Sequence, residues 1–134
     1  MKNKTVWTDR LKGKTSLSLQ KIGSSISVDK RLYEQDITAS IIHAKMLVKQ
    51  KIISPKEGSK IINGLKRIKS QIDIGKFKFQ EKFEDIHLNI EKNLFELIGP
   101  SAGFLHTARS RNDQVVTDFK LFSNLFLSLL NISK

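Results

Sequence analysis

An all-α fold is what this sequence predicts, and three observations predict it. Apolar residues recur at three- and four-residue spacing along most of the chain. The punctuation between those runs consists of helix starts and stops, such as Ser54-Pro55 and Gly99-Pro100. The single alternating stretch, Gly75-Lys76-Phe77-Lys78-Phe79, is too short for more than an extended connection.

Residues 1–26, rich in Lys, Ser, Thr and Gly without sustained periodicity, read as an extended N-terminal arm in which Trp7 is the one large anchor. From Asp29 to about Gln50, the residues Leu32, Tyr33, Ile37, Ile41, Ala44, Leu47 and Val48 make one stripe of a first helix. His43 falls within it and reads as a helix residue rather than a ligand, because no second ligand lies three or four positions away. Ser54-Pro55-Lys56-Glu57 combines a hydroxyl cap, a proline at the first helical position and a glutamate at the capping-box position. A second helix follows through Ile61, Ile62, Leu65, Ile68 and Ile72, close enough to the first to form an antiparallel hairpin. A third runs from Glu84 to Ile98, burying Ile86, Ile90, Leu94, Leu97 and Ile98 until Gly99-Pro100 stops it. A fourth runs from about Asn112 to the end, with Val115, Phe119, Phe122, Phe126 and Leu129 as its seam and Val116, Leu121, Leu125, Leu127 and Leu130 beside it. Three preceding helices are too few to cover so much apolar surface, so this last helix reads as the first member of a truncated bundle.

Composition narrows the class. Of the 134 residues, 39% are hydrophobic and 28% charged, which fits a folded soluble chain better than a disordered one. The net charge of +11 invites a nucleic-acid reading, yet the lysines are scattered and accompany no zinc-finger or aromatic-basic pattern. With no cysteine, disulfides and thiolate metal sites are excluded. The basic start Met1-Lys2-Asn3-Lys4-Thr5 has no apolar stretch behind it, and no apolar run is long enough to cross a bilayer. A cytoplasmic protein with no membrane contact is the expectation.

The densest polar stretch is Leu105-His106-Thr107-Ala108-Arg109-Ser110-Arg111-Asn112-Asp113-Gln114. Arg109 and Arg111 carry planar forks suited to carboxylates, and Ser110 with Asp113 resembles a helix start whose free N–H groups attract anions. The loop is either an anion site or a capped, solvated connection. In the third helix, His87 and Glu91 are four residues apart on one face, where the carboxylate either orients the imidazole or forms a surface ion pair.

The run from His106 to Gln114 resembles the signature of argininosuccinate lyases and delta-crystallins, within the fumarase/aspartase superfamily. Glu84-Asp85-Ile86-His87-Leu88-Asn89-Ile90-Glu91 is similar to that family's Asp-x-His-x-x-x-Glu helix, and Asp29 to Ile37 matches an earlier motif. The resemblance departs at Trp7-Thr8-Asp9-Arg10-Leu11, where two family glycines are missing, and at Gly23, where the family has Asn.

What the resemblance implies is a reversible β-elimination splitting argininosuccinate into arginine and fumarate, without a redox cofactor or metal. It implies that Ser25, Arg109, Arg111 and Asn112 grip substrate carboxylates. It further implies that Asp29, Asp85 and His87 shape the site or hold the guanidinium end, and that Glu91, His106, Thr107 and Ser110 support the loop. The family's histidine-bearing Thr-x-x-Gln-x-Ala-Gln-Pro segment and serine-bearing mobile loop are not found in these residues, so no catalytic residue is assigned. The resemblance also implies a homotetramer whose sites combine three subunits. It divides the chain into an arm (1–26), a small helical domain (27–104) and the signature loop with the start of a central bundle (105–134). Three readings follow: the N-terminal part of such a lyase, inactive alone; a non-catalytic helical interaction module or gene remnant; and a basic nucleic-acid binder.

Overall fold

The computed structural model describes residues 23–131, apart from the side chains of Leu129 and Asn131. Most of the expected arm, with Trp7, lies outside the described residues. Among those described, every regular element is helical. A short helix α1 (Ile26–Asp29) and a 3-10 turn (Lys30–Leu32) lead into α2 (Tyr33–Lys49). Helices α3 (Pro55–Asp73) and α4 (Ile86–Ile98) follow, then a 3-10 helix (Gly99–His106) and α5 (Arg111–Asn131).

Local chemistry accounts for the boundaries. The Ser54 side chain accepts from the backbone N–H of Glu57 at 3.1 Å with Pro55 at the first position of α3, as the sequence predicts. Asp85 caps α4 by accepting from the Leu88 N–H at 2.6 Å, so that helix starts two residues later than Glu84. Gly99, at φ 66°, ends it in a conformation that glycine adopts without steric cost. Helix character then resumes through Pro100 as a 3-10 turn, which a reading of Gly-Pro as a plain stop does not anticipate.

Helices α2 and α3 form the expected antiparallel hairpin: the Tyr33 hydroxyl at the start of one donates to Asp73 at the end of the other, at 2.9 Å. Ile37, Ala44, Leu47, Ile61, Leu65, Ile68, Ile86, Ile90 and Leu94 interlock as the core, with Ala102 and Leu105 of the 3-10 helix closing one end. Each such aliphatic side chain is worth roughly 1.5–3 kcal/mol on burial. At Gly64 the α3 backbone approaches α4 so closely that a Cβ would lie 2.5 Å from Leu94 Cδ1.

Helix α5 inverts the usual arrangement. Its buried side chains are polar, Gln114 and Asp118, while Phe119 is 63% exposed and Phe122, Leu125, Phe126 and Leu127 also face outward. The sequence expectation that the first helices cannot cover this apolar surface is met.

The connection between α3 and α4 hangs on Asn89, fully buried on α4. Its Oδ1 accepts from Gln80 N at 2.8 Å, and its Nδ2 donates to the carbonyls of Gln80, Phe83 and Asp85 at 3.3, 3.0 and 2.9 Å. That pins the segment carrying Phe77, whose buried ring packs edge-on to Phe79 with centroids 4.9 Å apart. Asn89→Ala strands several partly buried backbone groups and is expected to cost about 2–4 kcal/mol in urea denaturation. A loss below about 1 kcal/mol would mean that the connection is held by other contacts.

Candidate functional site

Leu105 and His106, placed in the loop by the sequence reading, are the last residues of the 3-10 helix, and Leu105 is a core residue. The chain then reverses in a tight turn closed by Arg109 N–H on the His106 carbonyl at 3.2 Å. Thr107 at φ −59°, ψ 125° and Ala108 at φ 54° give it type II geometry. Glycine is the residue that suits the second of these positions, so Ala108 holds the turn under local strain. The His43 ring supports the turn by donating from Nε2 to the Thr107 carbonyl at 3.0 Å. Burial of His43 and the nearby Arg109 and His106 charges lower its pKa despite that hydrogen bond, favouring the neutral ring with its proton on Nε2. Ser110 then caps α5 by accepting from Asn112 N–H at 3.2 Å, one residue ahead of the anticipated start.

The turn sends the two arginines in different directions. Arg109, with its side chain 9% exposed, enters the interior, donates to Ser40 Oγ at 2.9 Å and lies 3.9 Å from Asp36 Oδ1. Asp36 Oδ1 also accepts from His87 Nδ1 at 3.1 Å and from Gln114 Nε2 at 2.5 Å. Asp118 completes the cluster, its Oδ2 3.5 Å from His87 Nδ1. Neither Asp118 oxygen nor Asp36 Oδ2 has a hydrogen-bond partner among the described residues.

Electrostatics decides how this cluster holds its charge. Burial pushes both carboxyls up. At Asp36 the His87 hydrogen bond and charge, the Gln114 amide and Arg109 outweigh burial and hold the pKa below the usual carboxylate range. At Asp118 burial and the Asp36 charge prevail, and the pKa is pushed up to about 7. Burial lowers the His87 pKa, but Asp36 and Asp85 more than reverse this, leaving it raised. Asp36, His87 and Asp118 together have the donor composition of a small cation site, one atom of each lying within 4.8 Å of the others. Arg109 and His87 already supply positive charge there and Gln114 already donates to Asp36, so the chain's own groups compensate the two carboxyls.

Arg111 turns the other way. Its guanidinium donates to Glu91 Oε1 at 2.9 Å and to Gln114 Oε1 at 2.6 Å, and lies 3.6 Å from Asp85. His106 Nε2 meets the same Glu91 oxygen at 2.6 Å. Burial raises the Glu91 pKa, but the His106 hydrogen bond and the Arg111 charge outweigh it, so the carboxylate stays ionised. Glu91 therefore serves His106 and Arg111. It does not orient His87, whose partners are Asp36 and Asp118, in place of the pairing suggested by four-residue spacing. Nearby, Ser25 and Ile26 N–H groups donate to the Glu84 carbonyl at 2.8 and 3.2 Å, placing Ser25 beside the Asp85 cap. Ser25 Oγ donates to Asp29 Oδ2 at 2.5 Å. Asn112 and Ser110 stay exposed at the start of α5.

Ser25, Asp29, Asp85, Arg111 and Asn112 thus gather around the first turns of α4 and α5 with Glu91 and His106, whereas His87, 3% exposed, and Arg109 belong to an inner cluster. Asp36, Ser40, Gln114 and Asp118 of that cluster were given no role by the sequence reading, although Asp36 and Gln114 lie within its motifs. Asp118 and Gln114 did carry one signal: they are the polar residues four apart within an otherwise apolar helix.

The raised Asp118 pKa has a definite sign in stability. Below about pH 4 the carboxyl is protonated in folded and unfolded chains and its contribution is fully present; it is lost as pH rises through about 7. Asp118→Asn mimics the protonated form. The variant is expected to match the parent at pH 4 and to exceed it by on the order of 2–4 kcal/mol at pH 8 in denaturant titrations. Equal stabilities at pH 8 would show that Asp118 is not held protonated by the fold.

Comparison with known proteins identifies the family. A family described as Lyase matches residues 9–131. An argininosuccinate lyase of Pelagibacter ubique is 53% identical over 121 residues, covering 90% of this chain and 26% of the relative. Those of Ehrlichia canis and Ehrlichia chaffeensis are each 57% identical over 122 residues, covering 91% of this chain and 26% of theirs. The chain spans about a quarter of the length of the curated relatives it matches. With nearly its whole length matched, the chain belongs to this lyase family.

Proposed function

We propose that this chain carries the substrate-gripping part of an argininosuccinate lyase site and that argininosuccinate is its ligand. In the elimination, a base removes the proton next to a carboxylate, hydrogen-bond donors hold the resulting carbanion, and an acid protonates the departing guanidinium nitrogen. Residues here supply grip and positioning. The proton-transferring groups belong to the three quarters of the relatives' length that this chain does not span, and the chain alone is expected to release no fumarate.

The observation that carries the proposal is the meeting of Ser25, Asp85 and Arg111, from three separate stretches of sequence, around the first turns of α4 and α5. Two helix N-termini and a guanidinium favour anions, and Glu91 and Asp85 sit against the fork that a substrate carboxylate would take. Asp29 and Asp85 suit the cationic end of the same ligand. His87 is buried, so its role is to support the loop from within and not to touch ligand.

Titration of the isotope-labelled chain with argininosuccinate is expected to shift the amide signals of Ser25, Arg111 and Asn112. Arg111→Ala is expected to weaken binding about tenfold or more, the loss of a charge-assisted pair. Saturable binding that Arg111→Ala leaves intact, or shifts confined to other faces, would sink the assignment.

The outward apolar face of α5 supports assembly with further lyase subunits as the partners of this chain. Phe119, Phe122 and Phe126 present aromatic rings that a monomer has no reason to expose together. Light scattering is expected to show concentration-dependent association, abolished by replacing all three with Glu. A compact monomer at every concentration would remove the helix as an assembly surface.

A further inference from the structure

Of the residues that fix the signature loop, one lies within the Asp29-to-Ile37 stretch but was assigned no role there. Asp36 sits on α2, fully buried, and a single oxygen of it faces three separate segments: His87 on α4, Arg109 in the loop and Gln114 on α5. Ser40, one helical turn further on the same face of α2, takes the remaining contact of Arg109. We propose that Asp36 is the positioning residue of the arginine loop: its buried carboxylate, with Ser40, fixes where the Arg109 guanidinium and the first turns of α5 sit. A buried guanidinium is costly unless paired, and Asp36 is the nearest carboxylate to Arg109.

The charged groups around it are few. Arg109 reaches it from the loop, His87 from α4 and Asp118 from α5, with Asp85 and Arg111 acting on it through His87. Asp118 holds its proton partly because Asp36 beside it is ionised. Neutralising Asp36 therefore has a second consequence besides freeing Arg109: Asp118 must ionise more easily. A residue that merely fills space would not have that effect.

The functional meaning rests on the reading of the loop as a substrate grip, and the test separates the two. The isotope-labelled chain is compared with Asp36→Asn, an isosteric change that keeps hydrogen-bond acceptance from His87 and Gln114. The Arg109 guanidinium N–H signals, expected to be displaced and sharp in the parent, are expected to move to the free-arginine position. The Asp118 carboxyl carbon is expected to titrate at least one pH unit lower, with the methyl signals of Ile61 and Leu65 unchanged. An unmoved Arg109 signal together with an unmoved Asp118 midpoint overturns the proposal. Should Asp36→Asn lose its methyl dispersion, the unsubstituted chain decides: its Arg109 signal must follow the titration of the Asp36–Asp118 pair, and a pH-independent signal overturns the proposal.

Argininosuccinate affinity is expected to fall about tenfold or more in Asp36→Asn, because a displaced loop misplaces its donors. If the parent binds no argininosuccinate while Arg109 still depends on Asp36, the substrate reading fails and the positioning role stands. If the parent binds and Arg109 ignores Asp36, the reverse holds.

Discussion

A carboxylate taken fully out of water must find its compensation inside the protein, and Asp36 finds it in parts drawn from almost every segment that matters here. His87 brings α4, Arg109 brings the loop and Gln114 brings α5. The apolar core of α2, α3 and α4 is formed by Ile, Leu and Ala side chains beside these contacts. It is the join between that core and the arginine-bearing stretch that depends on them, since α5 offers no buried apolar residue among its described side chains.

The same join explains why two arginines separated by one residue do different work. The strained turn at Ala108 commits Arg109 to the interior, and Arg111, already within helix α5, points to the rim. Arg109 is then a structural cation and Arg111 an available one. Both are paired with the chain's own carboxylates, Arg109 with Asp36 and Arg111 with Glu91 and Asp85.

Much of this was legible in advance, for identifiable reasons. Helical spacing of Ile37, Ala44, Ile61, Leu65, Ile90 and Leu94 found the hairpin and third helix, because for those residues burial and periodicity coincide. Ser54-Pro55 marked a boundary because its chemistry is local. The outer group of Ser25, Asp29, Asp85, Arg111 and Asn112 came from motif resemblance, and the fold brings its members together. The inner cluster stayed hidden because its partners lie far apart in sequence: Asp36 meets His87 and Gln114 from positions 51 and 78 residues away. The turn at Ala108 carries no glycine to announce it. Glu91 was assigned to the wrong histidine because four-residue spacing shows which side chains share a face, not which finds a better partner across the fold.

The polar underside of α5 also sets how that helix responds to temperature. Docking by Gln114 and Asp118 buries little apolar surface, and it is exposure of apolar surface that raises heat capacity on unfolding. Detachment of α5 should therefore carry an enthalpy that changes little with temperature, while melting of the Ile- and Leu-rich core carries one that climbs steeply. The two halves of this chain are held by forces with different thermal signatures, and warming shifts the balance between them.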